Sequence, residues 1–330
     1  MKILVVGGAG YIGSHMVKFL AKDGHDVVVL DNLSTGFRQS VKYGQLVIGD
    51  LADVNLLESL FLDHKFDGVM HFAANSLVGE SVTNPAKYYR NNVSNTQNLL
   101  DAMVRHKVTD FIFSSTAATF GEPQYTPIDE KHPQNPITPY GSSKLMVETI
   151  LKDYASAYGL NSVCLRYFNA CGADPEGELG ELHDPETHLI PIILQAASGR
   201  RDAITVFGRD YPTADGTCVR DYIHIMDLCS AHAQALNYLK QGNHGAHAFN
   251  LGNGQGFSVE EVVSVAKAVI EKDGYSLVVN EGQRREGDPA TLVADATKAK
   301  EVLAWQPEFC DLTTIIEHAW AWEKQQAQNN

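Results

Sequence analysis

Cysteine is scarce and scattered. The five cysteines, Cys164, Cys171, Cys218, Cys229 and Cys310, form no Cys-x-x-Cys pair in a chain of 330 residues. An odd, dispersed set of this kind speaks against a disulfide framework or a zinc site and for a reducing cytoplasm. Basic residues are also in deficit: 26 Lys and Arg against 40 Asp and Glu leave a formal net charge of −14. That imbalance removes the electrostatic footprint of a nucleic-acid binder and predicts repulsion from anionic membranes. Long apolar runs are missing, since no stretch approaches the roughly 18 residues of a membrane span. Glycines follow Val6 at once, without a small-residue cleavage site, so the apolar start does not read as a signal peptide. Tandem repeats and low-complexity tracts are absent as well. What remains is an ordinary globular composition, 44% hydrophobic and 20% charged, long enough for one large or two modest domains.

The first half alternates short apolar runs with helix-length segments. Residues 2–6, 26–30, 45–48, 68–72, 110–114 and 162–167 are rich in Val, Ile, Leu and Phe. Between them lie amphipathic stretches at 11–22, 54–63, 85–106 and 139–158. Near-continuous apolar strands separated by helices predict an α/β fold, a doubly wound parallel sheet of Rossmann type covered on both faces. After about Asn169 the rhythm breaks into a loop rich in Gly, Pro and acids, then a smaller α/β region over the carboxyl edge of the sheet.

Gly7, Gly10 and Gly13 follow the first strand as Gly-x-x-Gly-x-x-Gly and open the first helix. One glycine permits a tight turn, a second lets the backbone approach a pyrophosphate, and a third lets helix and strand pack closely. The helix N-terminus offers free N–H groups and a positive dipole end to phosphate. Asp31 closes the second strand, 18 residues past Gly13, where a carboxylate would bind ribose hydroxyls and repel an extra phosphate. The cofactor read from this pair is NAD. Asp50 and Leu51 after the third strand, and Phe72-Ala73-Ala74 after the fourth, complete the carboxyl edge. Residues 1–168 are therefore read as the NAD-binding domain and 169–330 mainly as the substrate domain, with segments near 220–252 candidates to return to the first.

Tyr140 and Lys144 lie four apart on one face of the helix that begins near Pro139. A phenol of pKa about 10 is a poor base at neutral pH, but a nearby ammonium and a positive nicotinamide favour its phenolate. Ser114-Ser115-Thr116 ends the fifth strand, so the Thr116 hydroxyl can hold a substrate oxygen beside Tyr140.

This set resembles the extended short-chain dehydrogenase/reductase family. Within it, the stretches GGAGYIGSH, LDNLSTG, HFAA with VGESV, YYRNNV, FSST, YGSSK, LRYFNACGA, DGTCVRDYIH and RREGDPA resemble the UDP-galactose 4-epimerases from residue 7 to about 291. The resemblance implies transient oxidation at the sugar 4-position by tightly bound NAD, rotation of the 4-keto sugar, and return of hydride. It makes Tyr140 the base, Lys144 its activator and NAD ribose ligand, and Thr116 the hydroxyl partner where many relatives carry Ser. It places Tyr11, Ile12, Asn32, Leu33, Ser34, Thr35, Gly36, Asn91 and Phe168 with the residues above around NAD.

On the substrate side the resemblance assigns Arg220 and Arg285 to the UDP diphosphate, an assignment that suits the planar guanidinium fork. Asp288 matches a uridine ribose contact, Phe207 a position beside uracil, and Asn169 and Leu189 further nucleotide-sugar contacts. Leu292 stands at a gate for sugar size. It is neither the bulky Tyr associated with plain hexoses nor the small residue associated with N-acetylated sugars, and we expect preference for UDP-glucose and UDP-galactose. Relatives form homodimers through two helices per subunit, for which 85–106 and 139–158 are the candidates. A 4,6-dehydratase would need an Asp-Glu pair after Thr116, where Ala117 and Ala118 stand; epimerases of other UDP-sugars remain open. His183, His188, His244 and His247 lack the spacing of a helical zinc site, and no metal is expected. Gly252 to Gly256 reads as a strand-to-helix turn with Ser258 as N-cap, and Trp320 and Trp322 as helix packing.

Overall fold

The computed structural model describes residues 1–284 and 288–328. Its strands, in chain order, are β1 (Lys2–Val6), β2 (Asp26–Asp31), β3 (Gln45–Ile48), β4 (Gly68–His71), β5 (Asp110–Thr116), β6 (Asn161–Tyr167) and β7 (Asn169–Cys171). They continue with β8 (Ile204–Phe207), β9 (Val219–His224), β10 (Ala246–Leu251), β11 (Gly256–Ser258), β12 (Val279–Gly282) and β13 (Thr291–Leu292). The helices are α1 (Tyr11–Lys22), α2 (Val54–Asp63), α3 (Val78–Thr83), α4 (Pro85–Tyr88), α5 (Asn95–His106) and α6 (Pro139–Tyr158). They are followed by α7 (Leu189–Ala197), α8 (Ile225–Lys240), α9 (Val259–Glu271), α10 (Thr297–Val302) and α11 (Leu312–Gln328).

Seven strands form one sheet in the order β10-β6-β5-β4-β1-β2-β3, with every pair parallel. The chain runs outward from β1 to β3, returns to the centre at β4 and then proceeds the other way. The carboxyl ends of β1 and β4 therefore flank the point where strand order reverses, the crevice in which such sheets bind ligands. Alternate residues of one strand feed opposite faces. Ile3, Val5, Val27 and Val29 pack under α1 and α8, whereas Leu4, Val6, Val28 and Leu30 pack under α2, α5 and α6. Both faces are apolar, which explains the near-continuous hydrophobic runs of these strands.

A third core lies beyond the sheet, where α7, α9 and α11 cover β8 and β12 around Ile193, Val262, Ile316 and Trp320. Ser258 caps α9 through a full capping box with Glu261. Trp320 is packing, only 2% exposed. The helical stretch from Pro85 to His106 is not uniform: residues Tyr89–Ser94 form a π turn between α4 and α5. Among the described residues no helix is long and apolar enough to cross a membrane.

Candidate active site

The three glycines divide their tasks as their geometry requires. Gly7 has φ +81°, and a Cβ there would lie 2.5 Å from the Ala73 nitrogen, so the turn after β1 passes directly against the end of β4. At Gly13 a Cβ would sit 2.1 Å from the Gly7 carbonyl oxygen, which sets how closely α1 approaches the loop. At Gly10 the nearest atom is 3.4 Å away, the Gly7 oxygen, and the residue opens onto the cavity. A helix N-terminus left open in this way has room for an anion such as a phosphate. Asp31 holds this loop: its carboxylate accepts from the backbone N–H of Ala9 and of Leu33, each at 2.8 Å. Leu33 turns the chain with φ +58°.

A cavity of about 570 Å³ lies over this switch point. Its wall brings together Gly7, Gly10, Tyr11, Ile12 and Gly13 with Asp31, Asn32, Ser34, Thr35 and Gly36. Asp50 and Leu51, Phe72 to Ala74, Asn91 and Phe168 add the neighbouring carboxyl ends. Thr116, Tyr140, Lys144, Asn169, Asp288 and Leu292 complete the far side. A cradle with a bare Gly10 at a helix N-terminus and an oriented carboxylate beyond it fits a dinucleotide.

Tyr140 and Lys144 occupy the first turns of α6. Thr138 caps that helix by accepting from the Gly141 N–H, with Pro139 at the first position. Lys144 is buried, and its ammonium donates to the Ser114 carbonyl at 2.8 Å and lies over the Phe113 ring. Burial lowers its pKa to about 7. Burial raises the Tyr140 phenol above its ordinary value, and a hydrogen bond with Thr116 offsets part of that. This differs from a phenol pulled down by its lysine. The protein's own groups hold Tyr140 neutral, because desolvation outweighs what they supply. Thr116 is itself fixed as the cap of the short turn after β5, accepting from Ala118 N–H at 3.1 Å.

Four predicted residues stand away from the cavity wall. Leu33 does not line it, although Asn32 and Ser34 on either side do, and Leu189 begins α7 against the third core. Phe207, at the end of β8, is 39% exposed. Arg220, on β9, pairs with Asp288 rather than with its neighbour Asp221, so its guanidinium is directed at the cavity edge that Asp288 forms. Asp221 instead accepts backbone N–H groups of Asn253, Gly254 and Ala294 and fixes the turn after β10. Arg285 lies outside the described residues.

Several supporting residues carry no local motif. Glu148, one turn past Lys144, accepts from Arg166 Nε at 3.0 Å and Nη2 at 2.6 Å and from the Ser115 hydroxyl at 2.6 Å, all buried. Asn92, in the π turn, accepts from Asn75 N–H and donates to Ser143, tying the turn to α6 beside Lys144. Lys18 on α1 donates to Asp174 at 2.6 Å and Glu176 at 2.7 Å across the chain. Only the Glu148 position, four after Lys144, carried any signal of its place.

Comparison with known proteins agrees with this geometry. The family model described as GDP-mannose 4,6 dehydratase matches residues 4–318. A UDP-glucose 4-epimerase of Halalkalibacterium halodurans is 52% identical over 326 residues, 98% of this chain and 96% of that protein. The crystal structure of UDP-glucose 4-epimerase from Brucella ovis in complex with NAD superposes with a TM-score of 0.93. The two chains are 51% identical, with 97% of each covered. The UDP-Glc/GlcNAc 4-epimerase of Campylobacter jejuni matches at TM-score 0.85 and 45% identity, covering 98% of this chain and 99% of that one. Ala117 and Ala118 stand where dehydratase chemistry would need acids. By its fold, its site and likeness across nearly its whole length, this chain belongs to the UDP-glucose 4-epimerase family of the extended short-chain dehydrogenases/reductases.

Proposed function

We propose that the chain interconverts UDP-galactose and UDP-glucose with NAD held in the switch-point cavity. The observation that carries this reading is the convergence of Tyr140, Thr116 and the glycine loop on one cavity. NAD, when bound, supplies the acceptor and donor for the hydride at sugar C4 and a positive ring whose field favours the Tyr140 phenolate. Gly10 and the α1 N-terminus take its pyrophosphate, and Asp31 its adenosine ribose. Tyr140 removes the proton from the sugar 4-hydroxyl, Thr116 orients that oxygen, and Lys144 binds the nicotinamide ribose. Arg220, Arg285 and Asp288 hold the UDP end, with Asn169, Leu189 and Phe207 as further contacts. The sugar is thereby tethered through its diphosphate alone, and the 4-keto form can turn before Tyr140 returns the proton.

UDP-galactose deuterated at C4 tests this cycle. The expected product is UDP-glucose with the label still at C4 and none in water. Label lost to solvent, or moved to C6, would overturn it.

The same reading makes the protein a cytoplasmic homodimer. The helices α5 and α6, with the π turn before α5, supply the face, and Met146 and Tyr158 on α6 are 46% and 60% exposed. Light scattering should return twice the chain mass of 36.1 kDa; a monomer at micromolar concentration would refute the assembly.

A further inference from the structure

The loop between β7 and α7 carries four side chains that converge on one point: Glu181, His183, Glu186 and His188. One ligand atom from each lies within 4.8 Å of all the others. His188 Nδ1 is 2.7 Å from Glu181 Oε1 and 3.2 Å from Glu186 Oε1. His183 Nδ1 is 3.1 Å from Glu181 Oε1 and 3.5 Å from Glu186 Oε2. The carboxylates are only 6% and 2% exposed, so two negative charges sit out of water and require positive charge in contact.

Closeness does not satisfy these atoms. Among the described residues Glu181 Oε1, His183 Nδ1 and Glu186 Oε2 make no hydrogen bond of good geometry, whereas His188 Nδ1 and Glu186 Oε1 are bonded at 3.2 Å. Buried polar atoms left in this way are uncommon and call for an explanation. The loop also holds them from behind. Glu186 Oε1 accepts the backbone N–H groups of Thr187 and His188 at 2.8 and 2.9 Å, which turns Oε2 inward. Trp322 Nε1 donates to the Glu181 carbonyl at 3.2 Å, and its ring fills the space that a Cβ on Gly180 would occupy.

We propose that Glu181, His183, Glu186 and His188 bind one divalent transition-metal ion, zinc by preference, which fastens this loop at the rim of the catalytic cavity. Two imidazoles and two carboxylates are a borderline donor set that suits zinc and disfavours magnesium or calcium. Bonds of roughly 2.0–2.2 Å in a tetrahedron place ligand atoms about 3.4 Å apart. The His–Glu separations of 2.7 to 3.5 Å need only small outward shifts. The two carboxylates balance the charge of a dication. His183 and His188 lack helical zinc spacing, and a loop brings them together instead. Glu181, His183 and His188 line the cavity, and the His183 ring meets Tyr11 of the glycine-loop helix edge-on at 6.3 Å. A bound ion therefore braces a segment that the cofactor helix touches.

The competing state is protonic. Against the cost of burial, Glu181 and Glu186 raise His183 to about 9 and His188 to about 10, giving two imidazolium–carboxylate pairs. The experiment strips the purified protein with a chelator, titrates it with zinc by calorimetry, and measures metal content and Tm. The expected result is one zinc per chain with a higher Tm. His183→Gln with His188→Gln should weaken zinc by about 100-fold or more. Should that pair fail to fold, Glu186→Gln must lower affinity, and cobalt in the wild-type protein must show tetrahedral absorption. No zinc uptake by the wild type, or uptake unchanged by the substitutions, leaves the protonic pairs alone and overturns the proposal.

Discussion

Lys144 is an ammonium placed where water cannot reach it, and that position makes two demands at once. Its pKa of about 7 lies well below the unfolded value of 10.5. As pH falls from 10.5 toward 7, the unfolded chain takes up a proton that the folded chain resists, so stability is lost across that window and not further below it. Lys144→Met should therefore stabilise the cofactor-free protein at pH 7 by a few kcal/mol. Each tenfold weakening of proton binding is worth roughly 1.4 kcal/mol, from which the lost Ser114 hydrogen bond subtracts. The gap should shrink toward pH 10; denaturant midpoints that differ equally at both pH values would rule this out. Turnover is expected to collapse in the same variant. Tyr140→Phe keeps the ring and removes the proton carrier, so kcat should fall by about 10²–10⁴ while NAD stays bound; a loss under tenfold would discard its role. Leu292 lines the cavity and, like Phe168, packs against the small cluster of Ala117, Phe120 and Ile128. The wild type should prefer UDP-galactose to UDP-N-acetylgalactosamine, and Leu292→Ala should narrow that preference. Equal kcat/KM for both sugars in the wild type would sink the gate.

At the scale of elements, the bounds of α1, α2 and α6 were legible because each has local punctuation. Gly10 precedes α1, Asp53 caps α2, and Thr138 with Pro139 opens α6. The π turn was not legible, because its cause is tertiary: Asn92 must reach both Asn75 and Ser143, which lie 17 and 51 residues away. Extra turns of this kind recur at functional sites, and this one delivers Asn91 to the cavity. Glu148 was visible only as a helical neighbour of Lys144; nothing local says that Arg166 of β6 answers it. That buried pair locks α6 to the sheet. Glu148→Ala should cost about 3–5 kcal/mol by leaving Arg166 unpaired, and Arg166→Met in the same chain should recover part of it. A single variant as stable as the wild type by urea melting would contradict this.

Across the whole molecule, the first half was readable and the second much less so. The seven-stranded sheet repeats one pattern, an apolar strand followed by an amphipathic helix, and periodicity detects it. β7, β11 and β13 are two or three residues long and owe their existence to pairing with β9, so no local pattern announces them. Tyr140, Lys144 and the glycine loop could be singled out from sequence because each pattern is a spacing within one element, and they line one cavity. The Arg220–Asp288 pair and the ties of Lys18 to the 174–178 loop were not, since long stretches of chain separate the partners. The histidine–glutamate loop falls between these cases, its residues close in sequence but arranged by a turn with no periodic signature.

The central claim is that one tightly held cofactor oxidises and then reduces the same sugar, with no net redox change. It is tested most directly by incubating the purified protein with UDP-galactose and no added cofactor, and identifying the product. The predicted product is UDP-glucose, formed catalytically and approached from either side. Formation of a 4-keto-6-deoxy sugar, or no turnover despite bound nicotinamide, would contradict it.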